Sequence, residues 1–281
     1  PRFDAEGLLK LIEEYRLTAG IMVPIMFIRL LKLPEEVRAR YDVSSLEFII
    51  HAAAPCPVDV KNRMIKWFGP VINEFYGSTE SGAVVACNSE QSLARPGSVG
   101  KIVPEADVRI LDDQGRVLPP NTIGEIYSRF PMNDFTYNGR PEERAEIDRD
   151  GYITSGDMGY MDEDGFLFIA DRVKDMVISG GVNIYPAEIE SVLHNYPGIK
   201  DCAVFGVPDE EFGEAVMAVL EAENEEEISI DGVRRYMREH LAGFKVPRTI
   251  EIGKNLPRED SGKIFKRRLR DNYWQQAGRK I

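Results

Sequence analysis

Short apolar runs alternate with amphipathic helical patterns in the first part of this 281-residue chain. The patterns predict helices at 7–16, 24–33 and 57–68, and strands at 18–23, 46–52 and 71–75. Strands that alternate with helices are typical of a parallel or mixed α/β sheet. Open sheets of this kind bind ligands beyond the carboxyl ends of their strands. The loops at 52–55 and 76–80 each follow a predicted strand and are the first candidates for a binding site.

A different pattern follows Arg95. Short β-type runs at 107–111, 124–129 and 166–170 are separated by turns, which predicts an antiparallel sheet or a small barrel. After Lys174 we expect a helix, two strands, a helix, a strand and a tail helix, at 186–195, 201–207, 215–222, 230–241, 249–252 and from 263. That order predicts a compact α+β domain. The expected domains are therefore 1–173 and 174–281.

The composition excludes several classes of protein. A net charge of −12 argues against a general nucleic-acid binder, which gains affinity by neutralising phosphates. The three cysteines form no CxxC pair and no disulfide framework, so we expect a reducing, cytoplasmic setting. The most apolar stretch, 19–28, contains Pro24 and is too short to span a bilayer, so no integral membrane segment is expected. The acidic run 221–227 is interpreted as a solvated loop.

The run Tyr76-Gly77-Ser78-Thr79-Glu80 combines groups that suit a nucleotide. Glycine allows a close backbone approach to a ligand. Thr79 offers a hydroxyl to a phosphate, Glu80 offers a hard oxygen ligand for Mg²⁺, and Tyr76 offers a flat face to a purine. An ordinary strand-to-loop turn with a core tyrosine is the open alternative.

Two other short segments allow both a binding and a structural interpretation. In Thr154-Ser155-Gly156-Asp157 the Asp157 carboxylate could accept both hydroxyls of a ribose, or it could cap its own turn before a hairpin. The small residues after His51 could lie flat against a ring, or they could form a tight loop before the next helix. His51 itself is interpreted as a packed histidine.

Three later segments are equally ambiguous when each is taken alone. The run 171–175 is a charged linker or a hinge. The run 179–183 holds two adjacent glycines and is interpreted as a turn that enters the helix near Tyr185. Ser261-Gly262-Lys263 precedes a basic helix, whose charges indicate a solvated face.

In combination these segments resemble the adenylate-forming acyl-CoA synthetase family, which includes AMP-binding acyl- and aryl-CoA ligases and luciferase-like enzymes. The resemblance rests on NEFYGSTESG at 73–82, the stretch 154–190, and LPREDSGKIFKRRLR at 256–270. It implies an α/β fold: the C-terminal part of a large mixed-sheet domain with a small β subdomain, followed by a small, mobile α+β domain. The family's Ser/Thr/Gly-rich phosphate loop and any GxxxxGK[ST] pattern are absent from the sequence, so the chain is expected to be roughly the C-terminal half of such an enzyme.

The resemblance also implies roles for individual residues. Tyr76 would stack on adenine, and Asp157 and Arg172 would hold the ribose. Thr79 would contact phosphate and Glu80 would bind Mg²⁺. Lys174 would be the hinge, and Lys263 would reach the reacting carboxylate and the α-phosphate. The remaining positions expected to line the nucleotide and CoA sites are Ala53, Ala54, Pro55, Glu74, Phe75, Gly77, Gly180, Gly181 and Asn183.

The implied activity is an ATP-dependent carboxylic acid–CoA ligase that forms an acyl adenylate, with ATP, Mg²⁺ and coenzyme A as cofactor and co-substrates. A fatty acid is the favoured substrate. The open alternatives are transfer of the acyl group to a carrier protein or another acceptor, and a non-catalytic nucleotide- or acyl-binding fragment. A homodimer is also left open.

Overall fold

The computed structural model describes residues 3–131, 135–222, 228–253, 255–258 and 264–276. The chain divides into two compact units between Ile169 and Ala170. Each unit has its own apolar core.

The first unit contains six helices among the described residues. They are α1 (Ala5–Tyr15), α2 (Pro24–Leu31), α3 (Glu35–Arg38), α4 (Val58–Phe68), α5 (Ser89–Ala94) and α6 (Pro141–Glu146). Its strands are β1 (Ala19–Met22), β2 (Phe48–His51), β3 (Ile72–Ser78), β4 (Gly82–Cys87), β5 (Gly100–Ile102), β6 (Asp107–Leu111), β7 (Gly124–Arg129), β8 (Asp148–Arg149), β9 (Tyr152–Met161) and β10 (Phe166–Arg172). The predicted alternation of strands and helices is confirmed for β1 to β3, and α3 is a helix that the sequence pattern did not predict.

These strands form one mixed sheet, in the order β1-β2-β3-β4-β5-β10-β9-β7-β6, with β8 beside β9. β1, β2 and β3 are parallel, and β3 is antiparallel to β4. The predicted mixed α/β fold is therefore confirmed. Because the first three strands run in one direction, the loops after β2 and β3 lie at the same edge of the sheet.

The helices α1, α2 and α4 pack on one face of the parallel strands. Leu9, Phe27, Leu30 and Met64 are fully buried there. α1 and α4 carry polar residues on their other faces, whereas α2 is apolar except for Arg29. Pro24 occupies the first turn of α2, where its missing N–H leaves no hydrogen bond unmade. This helical layer fixes the position of the edge on which the candidate site lies.

The antiparallel half of the sheet is strongly curved. Four strand-to-strand steps separate β3 from β9, which would be roughly 19 Å in a flat sheet. The Tyr76 hydroxyl on β3 nevertheless lies 2.8 Å from Asp157 on β9. Val84, Val85, Ile126 and Leu167 are buried in a core that Tyr76 also contacts. The sheet therefore curls around this core. Of the two sequence predictions for this region, an antiparallel sheet or a small barrel, the strand pairings show the antiparallel sheet.

The second unit contains a smaller sheet in the order β12-β11-β14-β13, with β15 beside β14. Its strands are β11 (Val177–Ser179), β12 (Val182–Ile184), β13 (Ile199–Asp209), β14 (Gly213–Ala222) and β15 (Thr249–Gly253). Its helices are α7 (Pro186–Leu193), α8 (Ile230–His240) and α9 (Lys266–Gln276), with 3-10 turns at Val173–Asp175 and Gly243–Lys245. The predicted α+β order is confirmed from α7 onward, whereas β11 and β12 are strands that the sequence pattern did not predict.

Three local predictions are corrected. Residues 76–78 continue strand β3 and pair with β4, so only the end of the 76–80 run is a turn. Asp157 lies within β9 and not in a turn before a hairpin. Glu221, the first residue of the acidic run, is buried beside Lys200 and Arg258, because an ion pair compensates its charge. Residues 223–227 of that run lie outside the described residues.

A fourth correction concerns the double glycine. Residues 179–183 form the turn of a β-hairpin between β11 and β12, and the next helix begins only at Pro186. Gly180 and Gly181 have φ values of +57° and +80°. Two successive positive φ values suit the right-handed twist of a two-residue hairpin, which only glycine and a few polar residues accept. Among the described residues, no helix is long and apolar enough to cross a membrane.

Candidate functional site

The loop after β2 holds a strained residue. Ala53 has a φ of +74°, in the left-handed region that a side chain with a Cβ rarely adopts. Such strain persists only where the surrounding structure enforces it, and it is concentrated at ligand sites. Ala54 and Pro55 follow in the same loop, before α4 begins. The family resemblance implies that this loop is one wall of the site, and that role stays a prediction.

The end of β3 forms a tight hairpin with β4. A Cβ on Gly77 would lie 1.8 Å from the carbonyl oxygen of Gly82, so no other residue fits there without moving the backbone. The hydroxyls of Ser78 and Ser81 close the turn through hydrogen bonds to each other's backbone N–H, at 3.0 and 2.9 Å. Thr79 is exposed at the tip. The turn thus presents Thr79 and Glu80 on a rigid support.

Tyr76 and Asp157 come together at the centre of the candidate site. The Tyr76 hydroxyl donates a hydrogen bond of 2.8 Å to Asp157 Oδ2. On β7, Tyr127 pairs with Thr154 and Glu125 pairs with Met158, so two residues of β7 are opposite four residues of β9. β9 therefore has a bulge between Thr154 and Met158. Gly156 in the bulge has a φ of +72°. The bulge lies where β9 brings the Asp157 carboxylate beside the Tyr76 ring.

Glu80 is held by a residue that the sequence did not single out. The Tyr137 hydroxyl donates a hydrogen bond of 3.0 Å to Glu80 Oε1. Partial burial works against a charge on Glu80, but hydrogen bonds from the backbone, Tyr137 and Ser78 outweigh it and lower the pKa of the carboxyl group. An ionised carboxylate in a fixed orientation suits Mg²⁺, which takes one or two protein carboxylates beside substrate phosphates. The described residues contain no cluster of three or more metal-binding side chains.

A buried ionic pair supports the site from below. Lys61 Nζ on α4 lies 2.5 Å from Glu74 Oε2 on β3, and both side chains are almost fully buried. The Glu74 side chain is therefore committed to Lys61. Any contact of this position with a nucleotide would have to come from its backbone. Phe75 points to the other side of β3 and is half-buried.

The second unit carries the predicted hinge residues. Arg172 and Lys174 are exposed, and Lys174 lies in the 3-10 turn Val173–Asp175. Asp171 is buried and accepts hydrogen bonds from the backbone N–H of Arg172, at 2.8 Å, and of Ala187 in the first turn of α7, at 2.7 Å. The hinge segment is thus tied to α7 immediately before the turn. Domain rotation about Lys174 stays a prediction.

The remaining predicted residues of the second unit lie on the β11–β12 hairpin. Gly180 and Gly181 form its turn, and Asn183 is exposed on β12. The backbone N–H of Gly180 donates to the Phe212 carbonyl at 2.8 Å, which fixes the hairpin against the following strands. Lys263, the predicted catalytic lysine, lies outside the described residues.

Sequence reasoning missed Tyr137 and Lys61. Tyr137 is 57 positions from Glu80, and the residues around it form no pattern that indicates binding. Lys61 lies on an amphipathic helix where a lysine is normally solvated. One signal was available: Lys61 occupies the same helical face as the apolar residues Met64, Ile65 and Phe68, which indicates a buried position.

Two sequence models of one family match this chain. The first, for the AMP-binding enzyme, matches residues 1–134, and the second, for the AMP-binding enzyme C-terminal domain, matches residues 188–263. Together they contain the loop after β2 and the β3–β4 turn, whereas Asp157 and the hairpin of the second unit lie between the two matched ranges.

Individual proteins agree with the family models. The chain is 38% identical over 270 residues to a long-chain-fatty-acid–CoA ligase of Bacillus subtilis, covering 96% of this chain and 48% of the relative. It is also 38% identical over 272 residues to a feruloyl-CoA synthase of Amycolatopsis, covering 96% of this chain and 55% of that protein. The solved structure of the amide bond synthetase McbA from Marinactinospora thermotolerans matches with a TM-score of 0.89 and 31% identity, over 97% of this chain and 56% of that chain. The chain thus spans about half the length of the proteins it matches.

Proposed function

The chain belongs to the family of AMP-binding enzymes, and on that premise we propose that the protein carrying it is an ATP-dependent carboxylic acid–CoA ligase. The contact between Tyr76 and Asp157 carries the proposal. It places a flat ring and a pair of acceptor oxygens at the strand edge where open α/β sheets bind ligands.

The proposed reaction has two half-reactions. In the first, an oxygen of the substrate carboxylate attacks the α-phosphorus of ATP, and the bond to the bridging oxygen breaks, which releases pyrophosphate and leaves an acyl adenylate. In the second, the CoA thiol releases its proton to solvent, and the resulting thiolate attacks the acyl carbonyl carbon. The carbon–oxygen bond to AMP then breaks, which gives the thioester and AMP. Neither step needs a cysteine nucleophile in the protein.

The residues of the first unit would bind and orient ATP. The Tyr76 ring and the loop Ala53–Pro55 would hold adenine, and Asp157 would accept the ribose hydroxyls. Glu80, ionised and oriented by Tyr137, is the residue that would hold Mg²⁺. When bound, the ion would neutralise charge on the phosphates. Thr79 at the tip of the β3–β4 turn would donate its hydroxyl to a phosphate oxygen.

The second unit would supply a different part of the site for each half-reaction. We propose that domain 174–281 rotates about Lys174, bringing Lys263 to the α-phosphate for the first half-reaction and the Gly180–Gly181 hairpin to the site for the second. A lysine on a flexible stem suits a charge that must arrive and leave. It would stabilise negative charge that builds up as the carboxylate attacks phosphorus.

We propose that the substrate is a fatty acid and that the enzyme acts in the cytoplasm. Similarity to a long-chain-fatty-acid–CoA ligase supports it, whereas equal identity to a feruloyl-CoA synthase supports an aromatic acid. The exposed side chains of β4, Ala83 and Ala86, are small enough for either. A comparison of fatty and aromatic acids as substrates therefore decides between the two.

Acid-dependent exchange of pyrophosphate into ATP, measured on the protein that carries this chain, tests the proposal. We expect exchange with fatty acids of a restricted chain length, and acyl-CoA formation when CoA is added. Lys263→Ala should reduce exchange by about 10²–10³-fold and spare thioester formation from supplied acyl adenylate. Absence of acid-dependent exchange with fatty and aromatic acids alike would overturn the proposal.

A second candidate is an adenylating enzyme with another acyl acceptor. The similarity to an amide bond synthetase favours it, because that name indicates an acceptor that is not a thiol. The same assay separates the two. Exchange without CoA-ester formation, together with product on addition of amines or a carrier-protein thiol, would favour the second candidate.

A further inference from the structure

The tail helix α9 is not a solvated basic face. Lys266 and Arg270 are four residues apart and so share one side of the helix. Lys266 Nζ lies 2.8 Å from Glu190 Oε1 on α7, and Arg270 Nη1 donates a hydrogen bond of 2.7 Å to the Lys174 carbonyl oxygen. Arg267 points away, with its side chain 74% exposed and paired only loosely with Asp271. One side of α9 therefore faces the hinge turn and α7.

The Lys266–Glu190 pair is well anchored. Glu190 Oε1 also accepts a hydrogen bond of 2.7 Å from the backbone N–H of Val204 on β13. Burial works against the charge of Lys266, but Glu190 and Asp171 outweigh it and raise the pKa of the ammonium group. Asp171 is the residue that ties the hinge segment to the first turn of α7. α7, α9 and the hinge segment thus meet in one charged cluster.

The same helix fixes one end of the segment that contains Lys263. Arg258 and Ile264, on either side of residues 259–263, form an antiparallel bridge, and the Phe265 N–H donates to the Pro257 carbonyl at 2.7 Å. Arg258 in turn lies 2.7 Å from Asp201 and 3.3 Å from Glu221. Both ends of the segment are therefore held, one by Arg258 and the other by α9.

We infer that α9 is a strut between the hinge turn 173–175 and the base of the 259–263 segment, with Lys266 and Arg270 as positioning residues for the first half-reaction. This rests on the proposed function of Lys263. A change of backbone conformation at Lys174 would then be passed through Arg270 and α9 to Ile264, the described residue that follows the segment carrying Lys263. A displacement of about 1 Å in a reacting group costs on the order of 10²-fold in rate, so the strut matters although neither residue touches substrate.

The activity test replaces both partners of the ion pair, so neither Lys266 nor Glu190 is left without its partner, and the Asp171 carboxylate keeps its hydrogen bonds from the Arg172 and Ala187 N–H groups. Loss of one partner alone is destabilising, whereas replacing both is often tolerated. In the protein that carries this chain, the double variant Lys266→Met with Glu190→Gln keeps an acceptor for the Val204 N–H. We expect the double variant to unfold at nearly the wild-type temperature. Its kcat for acyl-adenylate formation should fall by about 10- to 100-fold, with KM for ATP little changed. The single variant Lys266→Arg, which keeps the charge beside Glu190, should lose less activity. Wild-type adenylation in the double variant would overturn the strut.

The matched control is Arg267→Met, at an exposed position of the same helix that takes no part in the contacts of Lys266 and Arg270. It removes an exposed arginine and should leave both half-reactions and the thermal transition unchanged. A loss of adenylation in this control as large as that in the double variant would show that α9 acts through its general charge, which would overturn the assignment to Lys266 and Arg270.

A readout independent of activity is trypsin cleavage after Lys174. Arg270→Met removes the hydrogen bond to the Lys174 carbonyl, so we expect faster cleavage at that bond than in wild type and in Arg267→Met. Unchanged cleavage would overturn the strut. If Lys263→Ala keeps full adenylation, the proposed role of Lys263 fails, and the trypsin comparison still decides on the strut. The trypsin comparison also tests the strut in the event that the double variant does not fold.

Discussion

At the scale of single residues, the hydrogen bond between Tyr76 and Asp157 joins two motifs that lie 81 positions apart. We expect Asp157→Asn to raise KM for ATP by roughly 10- to 100-fold, because hydrogen bonds to a charged group contribute about 1.5–3 kcal/mol. The acid preference should not change. The measurement is KM for ATP and for 2′-deoxy-ATP in both proteins. If the missing 2′-hydroxyl costs the variant as much as wild type, Asp157 does not hold that group.

The strain at Ala53 makes a prediction about stability. A left-handed conformation costs a residue with a Cβ roughly 1–2 kcal/mol, which glycine does not lose. Ala53→Gly should therefore leave the free energy of unfolding unchanged or raise it by up to about 1 kcal/mol. Ala54→Gly is the matched control, and it should lower that free energy by about 0.4–1 kcal/mol through chain entropy. Denaturant titration of both variants checks the difference, and equal destabilisation would contradict the strained backbone.

The buried ring of His51 should make the free energy of unfolding depend on pH. Its ring is fully buried against Phe27, and neither ring nitrogen has a hydrogen-bond partner among the described residues. Burial, with a contribution from the charge of Lys61, lowers the pKa of His51 to about 3. Between the ordinary histidine pKa near 6.5 and this value, the unfolded chain binds a proton that the folded chain does not. Stability should therefore fall as pH falls through that window, by at most about 1.4 kcal/mol per pH unit.

The test is the slope of unfolding free energy against pH between about 6.5 and 4.5. His51→Leu should flatten the slope relative to wild type. An unchanged slope in His51→Leu would mean that His51 is protonated in the folded protein.

At the scale of elements, the 3-10 turn at Val173–Asp175 determines what a substitution of Lys174 does. The φ range of a 3-10 turn, near −50° to −70°, overlaps the value that proline imposes. Lys174→Pro should therefore preserve this conformation of the turn and hinder any other. We expect acyl-adenylate formation to be kept and thioester formation to be lost. Rapid-quench measurement of each half-reaction checks it, with Lys174→Ala as control, and normal acyl-CoA synthesis by Lys174→Pro would place the hinge elsewhere.

At the scale of the whole molecule, the second unit has what an independently folding domain needs. Its main core contains buried residues from its five strands and from α7 and α8, including Val177, Leu193, Val204 and Met237. We predict that residues 170–281 unfold cooperatively on their own, as measured by thermal circular dichroism. Leu193→Ala, at a fully buried position, should lower stability by about 2–5 kcal/mol. A broad transition that this variant does not shift would contradict independent folding.

The sequence by itself determined the class of fold and the identity of the motifs. Apolar periodicity is a local property, so β1 to β3, the alternating helices and the α+β order of the second unit could be predicted from it. The Tyr76–Glu80 run could likewise be interpreted, because glycine and oxygen ligands have consequences that do not depend on distant residues. The family resemblance then assigned roles to positions that the pattern alone left ambiguous.

Only the tertiary structure decided which distant groups meet. The curl of the sheet brings Asp157 to Tyr76, and the segment at 137 brings a hydroxyl to Glu80. Lys61 and Lys266 carry the same charge as any surface lysine, yet both are paired with buried glutamates. Whether a charge is solvated or buried depends on what packs against it from elsewhere in the chain. A local sequence pattern does not contain that information.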